Sequence, residues 1–195
     1  MPPQFRPSNV ARANIESYFP ALSNVNWIIK SPYDVDYQCI AWAACRTDRK
    51  WWPTDNTTFE VYWPFDDPIV DESVSGFTKA FSLLGYKSCD RRDFEIGYQK
   101  VAIYALNNGQ VTHMARQHFC GRGWLSKPGE LEDILHRDLE SIEGDPAATW
   151  NGYGKVAQIL KRSWLAALFN RCLLRCLWHA FKFFWYRLAQ KVGFV

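Results

Sequence analysis

The run Lys100–Lys127, "KVAIYALNNGQVTHMARQHFCGRGWLSK", constrains the fold more than any other part of the chain. "KVAIYAL" is an apolar segment of strand length, and "NNGQ" after it has the Asn-Gly pair of a tight hairpin. "VTHMARQHF" and "GWLSK" read as two more strands around a "CGRG" turn. Strands joined this closely run antiparallel, because a parallel return needs a crossover of about a dozen residues or more.

Helical patterns precede this set. Val74, Phe77, Phe81 and Leu84 recur at helical spacing, with Ser73 placed to cap the start and Gly85 to stop the end. "IAWAAC", Ile40–Cys45, favours helix, and its paired alanines permit close packing. "ANIESYF" starts a short amphipathic helix that Pro20 ends, and "NWIIKS" reads as a strand. Pro53, Pro64 and Pro68 exclude helix from the aromatic stretch "WWPTDNTTFEVYWPFDDP", which reads as a packed loop. "GELEDILHRDLESIEG" is either a short acidic helix or an extended segment, and "DPAATWNGYGKVAQILKR" reads as a turn and a helix. The expectation is an α+β domain over residues 15–162, after a flexible Pro- and Arg-rich segment 1–14 and before a C-terminal helix 163–195.

Charge divides the chain differently. Up to Asp145 there are 15 Lys/Arg against 20 Asp/Glu, whereas from Pro146 onward there are eight Lys/Arg and no acids. An acidic body argues against nucleic-acid binding. In the tail, Arg171, Arg175, His179, Lys182 and Tyr186 form one narrow polar stripe on a helix whose other faces carry Leu, Phe and Trp. The cations recur too often for a membrane span, so the tail is expected to lie in a membrane interface or to dock on a protein, through residues 163–191. The N-terminus lacks the apolar core of a secretory signal, so the expected location is cytoplasmic and peripheral at a membrane. The six cysteines match no disulfide framework or zinc-ligand spacing, and reduced thiols are expected. The acids of "FDDPIVDES" lack the spacing of a cation loop, and no glycine-rich phosphate loop is present. Neither a metal nor a cofactor is expected.

Cys39 and His113 are the residues with chemical promise. A cysteine at a helix start meets free backbone N–H groups that favour its thiolate, and a histidine on a later strand can serve as its base. Gln38 supplies an amide beside Cys39 that is able to join in holding an oxyanion. Asp133 and Glu130, beyond the "GWLSK" strand, are the acids available to orient His113, and Ser126 and Lys127 lie between. The competing reading makes Cys39 a core residue, since free cysteine is among the most buried residue types.

"YQCIAWAACRTDRKWWP", "GYQKVAIYA", "THMARQH", "GRGWLSK" and "DILH" resemble the successive motifs of a domain family without an established activity. The resemblance covers roughly Ile15 to Arg162. It implies that Cys39 and His113 occupy motif positions, together with Arg116, Gln117, Ser126, Lys127, Asp133 and His136. Gln38 stands where members of the family often carry Asn, and keeps the side-chain amide. The order of cysteine on a helix and histidine on a later antiparallel strand is similar, more distantly, to papain-like cysteine peptidases and amidases. That likeness implies a papain-like fold and a cysteine-dependent hydrolase or transferase acting on an amide or thioester, with a protein or peptide among its substrates. Cys39 would attack, His113 would move the proton, and Asp133 or Glu130 would orient it, with Gln38, Gln117, Ser126 and Lys127 toward the oxyanion or substrate. The alternative is a non-catalytic binding domain localised by its tail.

Overall fold

The computed structural model describes residues 8–54, 60–65, 70–145 and 151–169. Helix α1 (Ser8–Tyr18) starts earlier than the sequence pattern suggests and buries Ala11 and Ile15. After a 3-10 turn at Pro20–Asn24 come strand β1 (Trp27–Ile29) and helix α2 (Cys39–Ala43). The short strands β2 (Lys50–Trp51) and β3 (Val61–Tyr62) pair in parallel within the aromatic loop. Helix α3 (Val74–Ser82) is capped by Ser73, whose Oγ accepts from the Gly76 N–H at 3.2 Å. Gly85 stops it at φ +84°, a conformation that costs glycine nothing.

The remaining strands are β4 (Lys87–Cys89), β5 (Tyr98–Ala105), β6 (Val111–Gln117), β7 (Trp124–Ser126), β8 (Ile134–His136) and β9 (Lys155–Ser163). They join β1 in one antiparallel sheet ordered β1-β8-β7-β6-β5-β9-β4. A 3-10 turn at Leu139–Ile142 follows β8, so "GELEDILHRDLESIEG" contains both an extended and a helical piece. Helix α4 (Trp164–Phe169) begins the C-terminal segment. The protein is thus α+β, with a mostly antiparallel sheet and few helices.

One expectation fails clearly. "KVAQILKR" is not helical but forms β9, whose residues pair with β5 from Tyr98↔Ser163 to Ala105↔Lys155. Its residues are mostly good helix formers, but propensity is a weak prior beside a full-length ladder that also accepts β4 on its other edge.

The sheet is covered on both faces. Successive side chains of a strand point to opposite sides. Val101, Ile103, Met114 and Leu160 therefore pack with α2 and α3, including Ile40, Trp42, Phe77 and Phe81. Ala102, Tyr104, Ala115 and Ile159 pack against Ile15, Phe19 and Leu22, with Leu139 and Ile142. Burial on both faces explains why "KVAIYA" is apolar without alternation. Among the described residues no helix is long and apolar enough to cross a membrane. The tail stripe from Arg171 onward, the first seven residues and Asp66 and Asp67 of the acidic loop lie outside the described residues.

Candidate functional site

Helix α2 places Cys39 at its first turn. Gln38 is the N-cap, with its Oε1 accepting from the Ala41 N–H at 3.1 Å, while its Nε2 donates to the Trp51 carbonyl. The Gln38 amide therefore fastens the start of α2 to β2. Cys39 itself is buried, at 6% exposure. Burial pushes its thiol up to about 11, against the pull of backbone N–H groups of Met114, Ile40 and Cys39 itself and of the Lys127 ammonium. Cys39 is thus a thiol at rest. Cys39, Cys89 and Cys120 are free, but Cys45 is disulfide-bonded, so the thiols are not uniformly reduced.

His113 sits on β6 beside Met114 and is fully buried. Its Nε2 lies 3.1 Å from Ser126 Oγ, which lies 2.9 Å from His136 Nε2. His136 Nδ1 lies 2.9 Å from the Asp138 carbonyl oxygen and 3.2 Å from Ser141 Oγ. That carbonyl fixes the protons along the whole chain, because it can only accept. His136 stays neutral, since burial lowers it to about 4, so its one proton is on Nδ1 and its Nε2 is a lone pair. Ser126 then donates to His136 Nε2 and accepts from His113 Nε2–H. Burial, helped by His136, also holds His113 well below the usual imidazole range. Neutral His113, protonated on Nε2, must carry its lone pair on Nδ1. That atom has no hydrogen-bond partner among the described residues.

Tyr153 completes the surroundings. Its ring stacks on His113 with centroids 4.1 Å apart and planes 7° apart. Its phenol is raised by burial and, next, by the charge on Cys39. Cys39 packs with Met114 on the α2 face, whereas the His113 ring lies against Tyr104 and Tyr153, and among the described residues no hydrogen bond joins Cys39 to His113. β7 pairs with β6 only at Arg116↔Leu125 and Gln117↔Trp124, so the first part of β6 is not laddered to β7.

The acids expected to orient His113 are bonded elsewhere. Asp133 Oδ2 accepts from the Tyr37 hydroxyl at 2.9 Å, and its backbone N–H donates to Ser31 Oγ at 3.0 Å. Burial raises its carboxyl to about 6. Glu130 is engaged near the surface by Lys50 Nζ at 3.1 Å and the Tyr33 hydroxyl at 3.4 Å. The orienting position at His113 belongs to Ser126, with His136 behind it. Lys127 is buried, and its Nζ donates to the carbonyls of Asp34, at 2.7 Å, and Leu131. Desolvation lowers it, opposed by Asp133, Asp34, Glu132 and Glu130. Together Tyr37, Asp133 and Lys127 strap the loop before α2 to the segment joining β7 and β8. Gln117 Nε2 donates to the Arg92 carbonyl at 2.9 Å, away from the His113 relay.

His136 was visible in the sequence only as a motif position, and Tyr153 carried no signal at all. A sequence does not show that a tyrosine some forty residues downstream of a histidine will lie flat on it. Among the described residues no group of three or more His, Cys, Asp or Glu could hold a metal ion.

The fold and this site define a class: an α+β domain with a cysteine at a helix start and a buried, serine-tethered histidine on the central sheet. The chain belongs to the family described as Domain of unknown function (DUF7689), whose model matches residues 28–161. That span includes Cys39, His113, Ser126, His136 and Tyr153. No curated protein and no solved structure matches the chain.

Proposed function

We propose that the domain is a papain-like, cysteine-dependent hydrolase or transferase acting on an amide or thioester, with Cys39 as nucleophile and His113 as general base. The observation that carries this reading is the His113 tautomer. A buried relay through Ser126 and His136 holds Nε2–H and leaves Nδ1 as an unpartnered lone pair. A base held by one nitrogen with the other free can accept a proton, and the reading requires Nδ1 to reach the Cys39 sulfur, directly or through one water, when substrate binds.

In the reaction, His113 Nδ1 takes the thiol proton as the Cys39 sulfur adds to the carbonyl carbon. The resulting oxyanion meets backbone N–H groups at the start of α2 and the field of Lys127. Collapse expels an amine or thiol, which leaves with the proton from His113, and the acyl group stays on Cys39. Water or an acceptor nucleophile, deprotonated by His113, then releases the acyl group and restores the thiol. Because Cys39 is a thiol and His113 is neutral at rest, the ion pair forms only during attack. The substrate class includes peptides, and the C-terminal segment 163–191 directs the domain to a membrane surface or a protein partner.

The direct test is turnover of a panel of small acyl thioesters and peptide anilides by the full chain. Release that is lost in Cys39→Ser and reduced about 100-fold or more in His113→Gln supports the reading. Release unchanged in Cys39→Ser overturns it.

A second reading is favoured by one observation. The burial that lifts the Cys39 thiol to about 11 also suits a core residue. In that case the domain is a non-catalytic binding module localised by its tail, and the His113–Ser126–His136 relay is structural. Loss of folding stability in Cys39→Ser, with no acyl adduct on the native chain under any substrate, is its signature.

A further inference from the structure

A second cysteine–histidine pair lies outside this site, on the turn between β6 and β7. The turn is fixed by its backbone: the His118 N–H donates to the Gly123 carbonyl and the Gly121 N–H to the His118 carbonyl, both at 2.9 Å. Gly121 adopts φ +70° with Phe94 packed so closely that a Cβ there would lie 2.7 Å from that ring. Cys120 is exposed, and its Sγ lies 3.1 Å from His118 Nδ1, which also faces the Cys120 backbone N–H at 3.4 Å. The backbone donor can only donate, so Nδ1 carries the lone pair, and the thiol is the second donor. Burial, followed by Lys30, Arg122 and Arg116, lowers His118 to about 4, which keeps it a neutral acceptor at physiological pH. Residues 118–123 of the turn include no acid. Phe119, 69% exposed, leans on the His118 ring with centroids 4.6 Å apart.

We propose that Cys120 and His118 form a surface thiol-exchange site that takes a small acidic disulfide. The geometry supplies each requirement of exchange: an accessible thiol, a base already bonded to it, and the exposed Arg122, two residues along the same turn, to attract a carboxylate. His118 Nδ1 accepts the thiol proton, and the Cys120 sulfur attacks one sulfur of the disulfide. The new bond joins Cys120 to that half, the original S–S bond breaks, and the departing thiolate takes the proton from the imidazolium. Cys120 is oxidised and the released half is reduced, so no further oxidant is required. The site is independent of Cys39, which stays buried while Cys120 reacts.

The test uses the folded full chain near neutral pH. Two probes are compared, the dianionic 5,5′-dithiobis(2-nitrobenzoate) and the dicationic cystamine, with each rate normalised to that of a neutral cysteine peptide. Peptide mapping assigns the modified residue. Cys120 is expected to react before Cys89, with a normalised preference for the anionic probe of about tenfold that shrinks in Arg122→Gln and in Lys30→Gln. His118→Asn is expected to slow both probes about tenfold or more. Cys120 reacting no faster than Cys89, equal normalised rates for the two probes, or an unchanged rate in His118→Asn would each overturn the proposal. If His118→Asn does not fold, the wild-type charge preference and the Arg122→Gln rate still decide the matter.

Discussion

Replacing Ser126 with alanine removes one hydroxyl that two imidazoles share. Ser126 is fully buried, so no bulk water stands ready to replace its oxygen. The wild-type hydroxyl lies 3.1 Å from His113 Nε2 and 2.9 Å from His136 Nε2, donating to the second and accepting from the first. In Ser126→Ala both nitrogens become buried and unsatisfied. Each such orphan costs about 1–3 kcal/mol, so the loss should be about 2–6 kcal/mol, far more than the ~1 kcal/mol net worth of an average hydrogen bond. Urea unfolding of the wild type and variant measures this difference. Imidazole nitrogen NMR on the native protein measures its cause, with His113 expected to carry its proton on Nε2 and its lone pair on Nδ1. A loss below about 0.5 kcal/mol, within the range of a neutral surface change, would refute the relay. So would a proton on His113 Nδ1.

The buried histidines also set a pH dependence. His136 falls from 6.5 in the unfolded chain to about 4 when folded, so the unfolded state binds more protons in that window and stability drops as pH falls through it, by about 3 kcal/mol from this residue. Asp133, raised from 3.8 to about 6, works in the opposite sense: its folded form holds the proton longer and loses stability as pH rises, so Asp133→Asn should steepen acid unfolding in urea midpoints taken from about pH 4 to about pH 6.5. Gln38→Ala removes both the cap of α2 and its tie to Trp51, and should cost about 1–2 kcal/mol in thermal or urea unfolding. Gly154→Ala puts a Cβ 2.2 Å from the Ala105 carbonyl oxygen at φ +76°, and should cost about 1–3 kcal/mol or more by the same measurement.

The parts of the fold legible in the sequence were those governed by local chemistry. Asn-Gly at a hairpin, Ser73 as a cap and Gly85 as a stop each do one job that neighbours along the chain decide. What was not legible came from pairing at long range. β9 reads as helix because Ala, Gln, Leu, Lys and Arg suit one, and only β5 and β4 on its two edges make it a strand. At the site, Cys39 and His113 stood out by residue type, but the group that orients His113 did not. A carboxylate is the obvious partner for a histidine, and Asp133 is nearby in sequence. In the structure Tyr37 holds that carboxyl, while a serine, itself tied to a second histidine, takes the place expected for an acid. Ser126 stood out only as a motif position, read toward the oxyanion or substrate, and nothing in the residue string marks it as the partner of His113. The proton order becomes readable only when the Asp138 carbonyl, a pure acceptor, is seen to end the chain.

The most direct measurement is alkylation of Cys39 by iodoacetamide in the folded chain, in a Cys120→Ser background so that the surface thiol does not consume the reagent. Peptide mapping against urea-determined stability separates reaction of the native state from reaction after unfolding. If His113 is the base for Cys39, Cys39 is labelled faster than global unfolding allows, and His113→Ala slows that labelling about tenfold or more. Labelling that tracks the unfolding equilibrium and does not change with His113 would make Cys39 a core residue.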